Sequence, residues 1–161
     1  MKPRIETFPG KKLAGKRMKM SVEENRTAEL WRSFMPERKN IRNSIGTDLY
    51  SVQLYDPGYF DTYNPGREFE KWAVAEVSGS GDLPEGMEPL VIPPGMYAVF
   101  LYKGAASKGA EIFRYIFGTW LPQSAYAPDD RPHFEILGEK YSNEDPDSEE
   151  EIWIPVKLKE H

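Results

Sequence analysis

Apolar and polar positions change period several times along the chain, and the changes mark out elements. From Lys11 to Met20, Lys11, Lys12, Lys16, Arg17 and Lys19 alternate with Leu13, Ala14, Met18 and Met20, the pattern of a half-buried strand. The next stretch switches to helical spacing, with Leu30, Trp31, Phe34 and Met35 on one face. Ser21-Val22-Glu23-Glu24 reads as a capping box that starts this helix, and Pro36 ends it. Strand-like runs then follow at Leu49 to Tyr55 and Phe69 to Val77.

The second half repeats the order. Met96 to Lys103 reads as a strand. A helix starting near Ser107 carries Ile112, Phe113, Ile116, Phe117, Trp120 and Leu121 on one broad face, and Pro122 ends it. Strands are predicted at His133 to Tyr141 and Glu151 to Leu158, with Pro155 expected at an edge or bulge. The two helix ends, Leu30-Trp31-Arg32-Ser33-Phe34-Met35-Pro36 and Ile116-Phe117-Gly118-Thr119-Trp120-Leu121-Pro122, match in chemical class at all positions but Arg32 against Gly118. Pro36 and Pro122 lie 86 positions apart, Gly10 and Gly95 85 apart, and Trp72 and Trp153 81 apart. Such a period is too long for a solenoid unit and reads as an internal duplication.

The predicted fold is therefore α+β: duplicated strand–helix–strand–strand units sharing an antiparallel sheet, with a central cleft on the pseudo-two-fold axis. One unit alone leaves a free sheet edge and a half-covered face, and two units sharing a sheet remove that defect. Repeat 1 covers about 1–78 and repeat 2 about 87–161 of a single domain, 1–161. Ser78 to Gly86, rich in Gly and Ser, links them.

Composition narrows the function classes. At 161 residues the chain suits one core and not two ordinary domains. No apolar run is long enough to span a membrane, and the N-terminus lacks the apolar run of a secretory signal. The absence of cysteine removes disulfides, thiolate catalysis and Cys-based zinc sites, and fits a reducing, cytoplasmic setting. A formal net charge of −5 argues against a direct grip on nucleic acid. With two histidines, His133 and His161, neither a His-based triad nor an ordinary zinc site is expected, and no glycine motif suggests a nucleotide. No cofactor is predicted, and the protein partner is left unidentified.

The aromatic fraction, 13%, stands out. Period two puts Glu151 and Trp153 on one strand face and Ile152 and Ile154 on the other. With the isoleucines packed under the helices, Glu151 and Trp153 would face the cleft, although Glu151 could equally just end the acidic loop from Asn143 to Glu150. Glu70 and Trp72 repeat the arrangement. Tyr55, Tyr59 and Tyr63 fall in a loop with two Pro-Gly turns, where tyrosines suit a pocket lid. Phe34 and Trp120 lie on apolar helix faces, where core packing is the simpler role. The candidate ligand contacts are thus Glu151, Trp153, Trp72, Glu70, Tyr55, Tyr59, Trp120 and Phe34. Glu135 with Glu151 could in principle do acid–base work, but nothing in the spacing brings them together.

Trp120-Leu121-Pro122, Phe134-Glu135, Glu151-Ile152-Trp153-Ile154-Pro155-Val156 and Phe69 to Val77, taken in order over nearly the whole chain, resemble the GyrI-like effector-binding domain. The resemblance implies two units around a ligand cleft. It also implies that the glutamate before the last apolar strand, Glu151 by motif match, is a buried carboxylate pairing with cationic, lipophilic molecules. A free-standing member would bind and sequester such a molecule. The alternatives are a hydrolase of electrophilic small molecules, with Glu151 activating water, or a gyrase-type protein regulator.

Overall fold

Strand alternation dominates the computed structural model, which describes residues 2–62, 64–79, 81–104, 109–138 and 147–160. The strands are β1 (Arg4–Phe8), β2 (Lys11–Met20), β3 (Ser44–Leu54), β4 (Phe69–Val77), β5 (Glu88–Ile92), β6 (Gly95–Lys103), β7 (Tyr126–Pro128), β8 (His133–Leu137) and β9 (Glu149–Leu158). They form one antiparallel sheet in the order β1-β6-β9-β8-β3-β4-β2-β5, with β7 added alongside β9. Each half contributes three consecutive strands, β6-β9-β8 and β3-β4-β2, which meet where β8 pairs with β3. The short strand opening each half crosses over: β1 pairs with β6 of the second half, and β5 with β2 of the first.

Most predicted strands recur with nearly the expected limits, and β2 and β4 have them unchanged. The short strands β1, β5 and β7 were not anticipated, since five or fewer residues carry little period-two signal. Pro155 lies in β9 between Trp153, which pairs with β8, and Val156, which pairs with β7, so it sits where the neighbouring strand changes. Gly15 permits a close backbone approach between β2 and β4. A Cβ there would lie 1.9 Å from the Ala73 carbonyl oxygen of β4.

The helices depart from expectation at both ends. Helix α1 is Thr27–Phe34, starting six residues after Ser21. The Ser21 hydroxyl does accept the Glu24 N–H at 2.9 Å, but the reciprocal backbone bond from Ser21 N–H to the Glu24 carbonyl closes a turn instead of opening a helix. Pro36 does not stop the chain: α1 tightens into a 3₁₀ segment, Met35–Asn40, with the proline in its first turn, where no N–H is needed. Helix α2 (Gly109–Tyr115) runs into a π-helical turn (Ile116–Trp120) and a last α-helical turn (Leu121–Gln123). Pro122 thus opens this last turn. The predicted helix start at Ser107, together with Tyr63, Ser80, Asn143 to Pro146 and His161, lies outside the described residues.

Three apolar clusters hold the sheet. On one face α1 packs Leu30 and Phe34 against Ala14, Ala73 and Ala75, while Ile112, Ile116 and Leu121 pack against Phe100, Ile152, Ile154 and Val156. The opposite face curls on itself as a half-barrel around Phe8, Tyr50, Trp72, Tyr97, Phe134 and Trp153. The expected division of β9 is therefore observed, with Ile152 and Ile154 under the second helix and Trp153 on the other face.

Candidate functional site

The two helices cover the two ends of one sheet face and leave the middle pair, β3 and β8, to be covered otherwise. Parity puts Ser51, Gln53, His133 and Glu135 on this helix-bearing face, because Tyr50, Val52 and Phe134 belong to the half-barrel core. Register arranges them in rows. Lys71 of β4 stands opposite Gln53, and Gln53 opposite His133. One row further, Ser51 stands opposite Glu135, which stands opposite Ile152. All four of Ser51, Gln53, His133 and Glu135 are buried. A polar strip in the centre of a sheet, between two apolar helix footings, is the least expected feature of the molecule.

Glu135 is its centre. The residue is 9% exposed, and among the described residues its Oε2 has no hydrogen-bond partner. Burial raises its pKa above the usual carboxylate range, and Lys71 and Gln53 offset part of that. Glu150, on the same face of β9, is pushed up to about 7 by burial and by repulsion from Glu135, with Lys71 opposing. His133 is driven down to about 3, first by burial and then by the charge of Arg131, so it is neutral at ordinary pH. The Gln53 amide donates to Ser51 Oγ at 3.2 Å. Lys71 Nζ donates to Thr27 Oγ1 at 3.1 Å, at the start of α1.

Aromatic rings roof this strip. The loop after β3 lays Phe60 on Phe117 of the π-helical turn, with centroids 4.8 Å apart and planes 12° from parallel, and sets it 5.5 Å from the His133 ring. Tyr55 touches Tyr59, Phe60, Phe69 and His133 at centroid distances of 4.6–5.1 Å. Desolvation raises the Tyr55 hydroxyl well above its usual range, so it stays protonated. Phe60 itself is 44% exposed, so the roof is one ring thick on that side.

The remaining predicted contacts lie elsewhere. Glu151 is on the opposite face from Glu135: in the β8–β9 register Glu151 meets Ile136 while Glu135 meets Ile152. The two carboxylates therefore do not meet. Glu151 is not the buried carboxylate the resemblance implied; its side chain is 32% exposed, accepting from Arg4 Nη2 at 2.8 Å and from Trp153 Nε1 at 3.1 Å. A strand residue beside the sheet rim keeps water and finds a cation, so nothing forces it inward. Glu70 does the same with Trp72 Nε1 at 2.7 Å and Arg17 Nη1 at 3.2 Å. Trp72 and Trp153 are buried in the half-barrel core, where Trp153 stacks on Phe134 at 5.3 Å. Phe34, at the end of α1, is fully buried against the sheet, and Trp120 packs between Phe100 and Tyr126. Of the predicted set, Tyr55 reaches the polar strip through His133, and Tyr59 packs on Tyr55 and Phe60 in the roof above it. Glu135, Gln53, Lys71, His133, Glu150, Phe60 and Phe117 complete it. The usable signal was a charged residue within His133-Phe134-Glu135-Ile136-Leu137, a strand otherwise suited to burial.

A family model for the GyrI-like small molecule binding domain matches residues 1–157. The chain belongs to the GyrI-like family. Solved structures agree on the fold. SAV2435 bound to tetraphenylphosphonium is 17% identical over 98% of this chain and 94% of its own, with a TM-score of 0.75. The EcmrR C-terminal domain is 17% identical, covering 98% of each chain, at a TM-score of 0.70. A hydrolase from Listeria innocua is 11% identical over 97% of this chain and 92% of its own, at 0.58. A comparison with curated proteins finds no match. The polar strip under the aromatic rings lies where β8 of the second half pairs with β3 of the first. Among the described residues no helix is long and apolar enough to cross a membrane.

Proposed function

We propose that this GyrI-like domain binds a lipophilic organic cation on the central strip, with Glu135 as the counter-charge. The observation that carries the reading is the buried Glu135 carboxylate with an unpartnered Oε2. Stripping a carboxylate of water costs several kcal/mol even after relaxation. A cation arriving there restores the lost interaction and draws off any proton the carboxyl holds. The rings of Tyr55, Tyr59, Phe60 and Phe117 offer flat apolar surface and electron-rich faces to the same ligand. The tetraphenylphosphonium carried by SAV2435 is a ligand of this chemistry. The matching strand order of the two halves supports reading them as duplicated units, with the ligand at their junction.

The test is a calorimetric titration of tetraphenylphosphonium and rhodamine 6G into wild type and Glu135→Gln. Micromolar binding that weakens about ten-fold or more in the variant, about 1.4 kcal/mol, supports the reading. Absence of binding, or binding indifferent to Glu135→Gln, overturns it.

A further inference from the structure

A site built only for cations has no use for an ammonium group on the face that carries its carboxylates, yet this strip has one. Lys71 lies in the row that runs Lys71, Gln53, His133 across β4, β3 and β8, on the face that carries Glu135. It is two strands from Glu135 and one row along, a separation on the order of 10 Å at the backbone. Among the described residues no ion pair within contact distance joins Lys71 to either Glu135 or Glu150. Among the described residues its ammonium donates one hydrogen bond, to Thr27 Oγ1 at 3.1 Å.

An ammonium has three N–H donors. With one of them used, Lys71 retains donor capacity, while Glu135 Oε2 retains acceptor capacity. Burial pulls the Lys71 ammonium below its usual range, and Glu135 and Glu150 hold it up across the strip. Both poles are therefore only partly satisfied, and they are too far apart to satisfy each other. Gln53, on the strand between them, is a neutral amide, and His133, two residues from Glu135 on β8, is uncharged at ordinary pH, so neither supplies a charged partner.

We propose that the strip is a two-pole site whose preferred ligand is an amphoteric aromatic molecule, its cationic group at Glu135 and a carboxylate at Lys71. This rests on the cation-binding reading above and makes Lys71 the residue that sets ligand class within it. A simple cation meets Glu135 but also feels the Lys71 charge and leaves its donors unused. A molecule with both groups satisfies both ends, and its flat body lies under Phe60 and Tyr55. Buried polar groups left unpaired discriminate strongly between ligands that differ by one partner group.

Rhodamine 6G and rhodamine 19 make a matched pair, because they share the cationic ring system and differ in carrying an ethyl ester or a free carboxylate. Both are titrated into wild type, Lys71→Met and Lys71→Gln, followed by calorimetry and dye fluorescence. The expected result is a preference of about ten-fold for rhodamine 19 in wild type that disappears in both lysine variants, with Glu135→Gln weakening both dyes alike. Two lysine variants are used so that a folding defect in one leaves the other decisive. An acid-to-ester ratio unchanged by either lysine variant overturns the proposal, as does binding of tetraphenylphosphonium with neither rhodamine bound. Those two results leave the cation reading intact. Failure of every cation to bind overturns both.

Discussion

Phe60 lies flat on Phe117, with ring centroids 4.8 Å apart. One ring comes from the loop that follows β3 and the other from the π-helical turn after α2, so a single contact ties the first half of the chain to the second above the polar strip. The π turn matters here because it spreads the helix where Phe117 is presented.

The stack lies at the surface rather than in the core, since Phe60 is 44% exposed. Phe60→Ala should cost no more than ~1.5 kcal/mol of stability, the scale of one aromatic pair, because Phe60 is half in water already. Ligand association measured by stopped-flow should become faster while dissociation accelerates at least as much. A loss of stability typical of a buried phenylalanine would show that Phe60 is structural.

The two strand glutamates should separate cleanly. Glu151 is paired with Arg4 at a partly exposed site, so Glu151→Gln should change stability by less than ~1 kcal/mol and leave cation affinity unchanged. Glu135→Gln should lower affinity while raising stability above pH 7, since it removes a buried carboxylate without a full set of partners. Parallel denaturation and titration curves for the two variants check this, and an affinity loss in Glu151→Gln of the size expected for Glu135→Gln would reverse the assignment.

Stability should depend on pH through the same strip. Glu150 holds its proton up to about pH 7 when folded, against roughly 4.3 in an unfolded chain. At this residue the folded state therefore binds more protons between those values, so the Glu150 contribution to stability falls as pH rises through that window. Glu150→Gln removes the effect. The variant should match wild type near pH 4 and exceed it above pH 7 by no more than ~4 kcal/mol. His133 acts in the opposite sense, because the unfolded chain binds its proton first, so stability falls as pH drops from about 6.5 toward 3. Urea denaturation of wild type and Glu150→Gln at several pH values tests the sign, and a gap that does not vary with pH would refute it.

Gly15 is needed for backbone proximity and not for a turn. A Cβ there would meet the Ala73 carbonyl oxygen at 1.9 Å and the Val74 Cα at 2.8 Å, neither of which can rotate away. Gly15→Ala should destabilise by about 2–3 kcal/mol, the range of overpacking. A midpoint within error of wild type in thermal unfolding would mean that β2 and β4 can part there.

Local sequence carried the strands well. The alternation in Lys11 to Met20 and Phe69 to Val77 set their limits, and the parity of Glu151 to Ile154 correctly put the isoleucines under a helix. Local signals also named the family, because the order of helix ends and Glu-x-Trp strands survives in the residues themselves. They did less well at helix ends, where Ser21 and Pro36 have the right local chemistry for a start and a stop but the chain uses them for a turn and a 3₁₀ continuation.

What the sequence could not determine was which sheet face stays open. Parity divides each strand into two sides but does not say which side the sheet curls around. The curl closes the face of Trp72 and Trp153 into a core and makes Glu151 a rim residue. It leaves the other face, at the β3–β8 seam, as the one place where Glu135 and Lys71 from different halves stand over the same strip. That juxtaposition depends on strand order and register across the whole sheet, which no local pattern encodes, because the residues that meet there are more than sixty positions apart.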